Sequence, residues 1–158
     1  MPSMLCAAPV TDEDPLLQPA GAGGDVNANT LLDQEFGATT LSRLRAAVME
    51  CASAAGMRRD RAIDVMLAMH ELAANVVRHG AGRGRLRMEV TARALRCQVS
   101  DADITGLASQ LAVEDAATPD WPVEHGHGLW LVRRTADQVQ VITDSAGSVV
   151  SVTFVLPG

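Results

Sequence analysis

The sequence predicts an α/β protein of the two-layer α+β kind, with helices on one face of a mainly antiparallel mixed sheet. Three observations point there. Two long helical stretches follow one another in the first half. Two pairs of alternating strand segments come after them. A glycine-containing turn that opens a short helix lies between the pairs. Hydrophobic residues make up 47% of the 158, enough for one core and far from the composition of a disordered chain.

Residues 1–30 are rich in Pro, Gly, Ala and Asp and have neither strand nor helix periodicity. They read as a flexible acidic tail ahead of a domain over 31–158. "TLLDQEF" (30–36) is a candidate short edge strand. Thr39 or Thr40 caps a helix that runs to about Ala55, with Leu41, Leu44, Val48 and Cys51 on one face and Gly56 as its stop. A second helix runs from about Arg58 to His79. Ile63, Met66, Leu67, His70, Ala73, Ala74 and Val77 are expected to form its apolar face. Asp64, Glu71, Asn75 and Arg78 follow at offsets of 7, 4 and 3 and form one polar stripe.

Leu86, Met88 and Val90 then alternate with Arg85, Arg87 and Glu89. After a turn at Ala92-Arg93, Leu95, Cys97 and Val99 lead to Asp101. Residues 104–125 have weak periodicity and two prolines, the pattern of a functional loop. "GHGLWLVRRTAD" (126–137) is a glycine turn opening a helix at about Leu129. "QVQVIT" and "SVVSVTFVLP" are closing strands around Ser145-Gly147.

Charge and cysteine usage exclude several classes. A net charge of -6 argues against nucleic-acid binding, and all thirteen basic residues are arginine. No apolar run approaches the ~20 residues of a membrane span, and the N-terminus lacks the basic start of a secretory signal. Cys6, Cys51 and Cys97 are widely spaced, as expected of small hydrophobes in a reducing cytoplasm. "HELAAN" fails as a zinc-protease motif, because Ala74 stands where the second histidine is required.

Glu71 and Asn75 point the same way one turn apart. The carboxamide oxygen suits Mg²⁺, a hard cation, and the carboxylate can orient or deprotonate a nucleophile. A solvated stripe on an amphipathic helix has the same pattern. Gly126 and Gly128 precede free helix N–H groups, which form an anion site or simply start a helix. Asp101 ends a strand, where a carboxylate can accept from the exocyclic amine of adenine or merely terminate the strand.

Together these motifs resemble the GHKL ATPase superfamily, the Bergerat ATP-binding fold of gyrase, histidine kinases and MutL. Within it, "ELAANVVRHG" is most similar to the bacterial anti-sigma-factor serine/threonine kinases and their actinobacterial ATP-binding relatives. The resemblance runs from about Glu35 to Leu156. It implies Glu71 as general base and Asn75 as Mg²⁺ ligand. It implies ATP contacts from Asn75, Arg78, His79, Gly80, Asp101, Gly106, Gly126, His127, Gly128 and Leu129, with 107–125 as the ATP lid. A cytoplasmic kinase of this type would phosphorylate a STAS-domain anti-anti-sigma protein and bind a sigma factor, with a homodimer as an option. A non-catalytic binding module on the same fold is the alternative. A detached histidine-kinase catalytic domain is less favoured, since no phospho-accepting helical hairpin precedes the motifs.

The chain departs from the family at two places. The family's D-x-G-x-G reads Asp101-Ala102-Asp103-Ile104-Thr105-Gly106, and its G-T-T-V reads Gly147-Ser148-Val149-Val150. Both changes are expected to weaken adenine binding. No Arg or Lys occurs between Arg96 and Arg133, so the lid brings no cation to a γ-phosphate.

Overall fold

The computed structural model describes residues 27–101, 127–144 and 147–158. In chain order the elements are β1 (Asn29–Gly37), α1 (Leu41–Ala54), α2 (Arg59–His79), β2 (Arg83–Val90), β3 (Ala94–Asp101), α3 (His127–Thr135), β4 (Gln138–Asp144) and β5 (Gly147–Val155). Five strands form one sheet in the order β1-β2-β3-β5-β4, and every described pairing is antiparallel. The helices cover one face, as predicted, and no parallel pair occurs among the described residues. β1 starts at Asn29, two residues ahead of the expected domain boundary.

Strand alternation sets the two faces. Leu86 and Met88 of β2, Leu95, Cys97 and Val99 of β3, and Val150, Val152 and Phe154 of β5 are all buried beneath the helices. The opposite face of β1 and β2 is polar, and Arg83, Arg85 and Arg87 are paired there. Arg85 Nε lies 2.5 Å from Asp33 Oδ1, Arg87 2.5 Å from Glu89, and Arg83 3.9 Å from Glu35. The hydrogen bond from Arg85 holds the Asp33 carboxyl below its ordinary range, and the charges of Arg85 and Arg87 add to this. A depressed folded-state pKa contributes stability above the ordinary carboxylate pKa. That contribution disappears as the pH falls through the folded value. Acid unfolding followed by circular dichroism should therefore show a shallower pH dependence in Asp33→Asn than in wild type.

α1 begins after a turn rather than a side-chain cap. Thr40 Oγ1 accepts from Gly37 N at 2.9 Å and donates to Gly37 O at 3.2 Å, so the hydroxyl closes the β1–α1 turn. At the other end Met57 N bonds Ala52 O and Gly56 N bonds Ser53 O, with Gly56 at φ 92°. This is a Schellman stop, and buried Met57 supplies its apolar contact.

α2 corrects one expectation. Its core face is Ala62, Val65, Met69, Leu72, Ala73 and Val76, whereas Ile63 and Leu67 are 36% and 38% exposed. Apolar residues lie on more than one side of this amphipathic helix, and the side that is buried repeats at Ala62, Val65, Met69, Leu72 and Val76. Alanines at 62, 68 and 73 let it lie close to its neighbours. Cys51 and Cys97 are packing residues. Burial pushes the Cys97 thiol far above its ordinary value, and raises the half-buried Cys51 less. Alkylation at neutral pH, read by mass spectrometry, should leave Cys97 unmodified until the protein is unfolded. No helix among the described residues is long and apolar enough to cross a membrane.

Candidate functional site

The C-terminal half of α2 turns an acid, an amide and a guanidinium to one side. Asn75 is only 8% exposed, so its carboxamide needs a partner. Arg78, one turn further on, donates from Nη2 to Asn75 Oδ1 at 3.3 Å. The same nitrogen lies 3.9 Å from Glu71 Oε2. The polar stripe read from the sequence is thus a contact set, with Asn75 largely out of solvent and Glu71 half-buried. Asp64 belongs elsewhere, 3.7 Å from Arg61. His79 is exposed at the end of the helix, where a basic side chain suits the dipole.

Just past that end lies Asp101, the last residue of β3 and 3% exposed. Its Oδ1 accepts the backbone N–H of Ala81 at 3.1 Å. A Cβ on Gly80 would fall 2.0 Å from Asp101 Oδ2 and 2.9 Å from Val76 O. Gly80 therefore makes room for the carboxylate. Its contribution to a site is made through Asp101, a role the sequence motif did not reveal. In the sheet Asp101 pairs with Gly84 on one side and Ser148 on the other, and Ser148 is also buried. The serine that replaces the family's threonine is therefore beside the aspartate.

α3 packs along α2 and is held at its C-terminal end by Arg61. Arg61 Nη1 donates to Thr135 O, and Nη2 lies 2.8 Å from Asp137 Oδ2. Asp137 Oδ2 also accepts Val155 N at 2.7 Å, and the guanidinium stacks 5.3 Å from the centre of the Phe154 ring. One arginine thus joins the start of α2, the end of α3 and the end of β5. The helix starts at His127, two residues before the expected Leu129. His127, Gly128 and Leu129 then supply the first-turn N–H groups, which have no partner within the helix. Gly106, Gly126 and the lid segment 107–125 lie outside the described residues.

The Arg61 clasp had no sequence signal, because its partners are 74 and 76 residues away. Arg61→Ala should lower stability by about 1–2 kcal/mol, discounted for partial exposure. Urea unfolding would measure it, and Arg61→Lys should recover only part, since one ammonium cannot reproduce the fork.

The donor set suits a magnesium ion. A buried carboxamide oxygen already faces a positive group, with a carboxylate alongside. No cluster of three or more metal-ligating His, Cys, Asp or Glu side chains occurs among the described residues. Mg²⁺ needs no such cage, because it keeps several waters and takes further oxygens from phosphates.

A helical layer on an antiparallel sheet, with an acid–amide pair on α2 and a buried aspartate at a strand end, is the arrangement expected from the sequence resemblance. Residues 36–154 match the family described as the histidine kinase-like ATPase domain, and the chain belongs to that family. Among solved structures it is similar to that of the RsbU and RsbW domains of Rv1364c from Mycobacterium tuberculosis. The TM-score is 0.56 at 14% identity, covering 80% of this chain and 33% of that one. The likeness is one of fold, and the chain spans about a third of that protein's length. No curated protein matches the chain.

Proposed function

We propose that this chain is an ATP- and Mg²⁺-binding regulatory protein of the anti-sigma-factor kinase type. The observation that carries the reading is the buried Asn75 oxygen beside Glu71, turned toward a positive charge on a helix whose end meets Asp101. Asp101 would accept the exocyclic amine of adenine. A carboxylate has about four acceptor sites, so the bond from Ala81 leaves capacity for it. Asn75 would hold Mg²⁺, and the first-turn N–H groups of α3 would meet the phosphates. The metal would neutralise charge on the triphosphate during transfer. Glu71 would take the proton from a serine or threonine hydroxyl of a partner protein as that oxygen bonds to the γ-phosphorus. The bond from γ-phosphorus to the β-bridging oxygen breaks, and ADP leaves.

The partners implied by the family resemblance are a STAS-domain anti-anti-sigma protein as phosphate acceptor and a sigma factor as the sequestered regulator, with this chain acting alone or as a homodimer. A second reading keeps the fold and partner surface but binds nucleotide poorly or does not turn it over. It is favoured by Asp103 in the aspartate motif and by a lid segment without Arg or Lys.

Thermal unfolding with and without MgATP tests the kinase reading. Ligand at 100 times its Kd adds ~2.7 kcal/mol of stability. An unchanged melting temperature at millimolar MgATP would remove that reading and leave the module that binds nucleotide poorly. Transfer of label from γ-labelled ATP to a STAS-domain protein separates the kinase from the module.

A further inference from the structure

Arg78 stands where a cation belongs. Its Nη2 is 3.3 Å from Asn75 Oδ1 and 3.9 Å from Glu71 Oε2, so one guanidinium nitrogen faces both oxygens of the candidate phosphate end. The two sides of this contact differ in freedom. Asn75 is 8% exposed and fixed in the packed layer, whereas the Arg78 side chain is 58% exposed and can leave into water. Mg²⁺ binds oxygen at about 2.1 Å and brings its own waters. It cannot share this face of Oδ1 with the guanidinium, and two positive charges that close repel.

Resting on the nucleotide reading above, we propose that Arg78 is a built-in stand-in for the nucleotide's divalent cation. It neutralises the Glu71–Asn75 pair while metal is absent, gives way when metal arrives, and so sets how steeply nucleotide affinity depends on metal. In metal-free protein the phosphates meet Arg78 beside Glu71 and still find a positive group. Without Arg78 they would meet the Glu71 carboxylate alone. In metal-loaded protein Arg78 has already been displaced, so its removal matters less.

The test is the ratio of ADP affinities in millimolar Mg²⁺ and in EDTA, measured by titration calorimetry on the full chain. In Arg78→Gln the ratio should rise at least about fivefold, mostly through loss of metal-free affinity. Arg78→Lys keeps the charge and should return most of the wild-type ratio. In Asn75→Ala the ratio should fall and no longer respond to Arg78→Gln. A parallel fall of both affinities in Arg78→Gln would make Arg78 an ordinary phosphate contact and overturn the inference. An unchanged ratio, or a response that persists without Asn75, would overturn it as well. Wild-type protein that binds ADP under neither condition would remove the nucleotide reading itself, a result distinct from binding with an indifferent ratio.

Discussion

Gly80→Ala should abolish nucleotide binding and cost the fold about 2–3 kcal/mol. The added Cβ would fall 2.0 Å from Asp101 Oδ2 and 2.9 Å from Val76 O, closer than atoms can approach. Neither neighbour yields cheaply. The Val76 carbonyl accepts the N–H groups of Gly80 and Gly82, which close the end of α2. Asp101 is tied to Ala81 through Oδ1 and sits in register between Gly84 and Ser148. Relief of the overlap must move the carboxylate, and overpacking of this kind typically costs about 1–3 kcal/mol. Gly82→Ala provides the contrast. Gly82 has φ 81°, and a Cβ added there would meet nothing within 4 Å. Backbone strain alone should cost about 1–2 kcal/mol at that position, with nucleotide binding kept. Urea unfolding and MgADP titration on both variants would show whether the loss of binding follows Asp101 or stability in general.

Glu71→Ala should leave MgATP affinity within a few-fold of wild type and lower phosphoryl transfer by about 10²–10⁴-fold. The carboxylate is half-buried and meets Arg78 only at 3.9 Å, so little packing is lost on truncation. Its proposed work is proton acceptance from the attacking hydroxyl, which affects the transfer step and not binding. Single-turnover transfer to a STAS-domain acceptor, with the binding constant measured in parallel, separates the two. Retained transfer would remove Glu71 from the role of base. Lost binding would instead make it a structural part of the phosphate end.

Much of this arrangement is legible in the chain because it rests on short-range periodicity. The i, i+4 spacing of Glu71 and Asn75 puts both on one face, and strict alternation in β2 and β3 identifies Leu86, Met88, Cys97 and Val99 as core. Asp101 at a strand end follows from the same alternation. What escapes depends on partners distant in sequence or on side-chain size. The core face of α2 excludes Ile63 and Leu67, against expectation, because large apolar residues stand on more than one side of the helix. Small alanines decide which side can approach the sheet. Gly80 reads in the sequence as a nucleotide contact, and only the approach of Asp101 explains it. Arg61 and Asp137 are polar residues of ordinary appearance whose meeting across 76 positions no local pattern encodes.

The most direct test of the account is calorimetric titration of MgADP into wild-type protein and into Asp101→Asn. The Ala81 N–H requires an acceptor, so an asparagine must turn its oxygen to Ala81 and its amino group the other way. A donor would then face the donor of the adenine amine. One saturable site in wild type, weakened at least about a hundredfold in the variant, is the predicted result. No heat of binding in wild type, or equal affinity in both proteins, would contradict the claim that Asp101, Asn75 and Glu71 line a single nucleotide site.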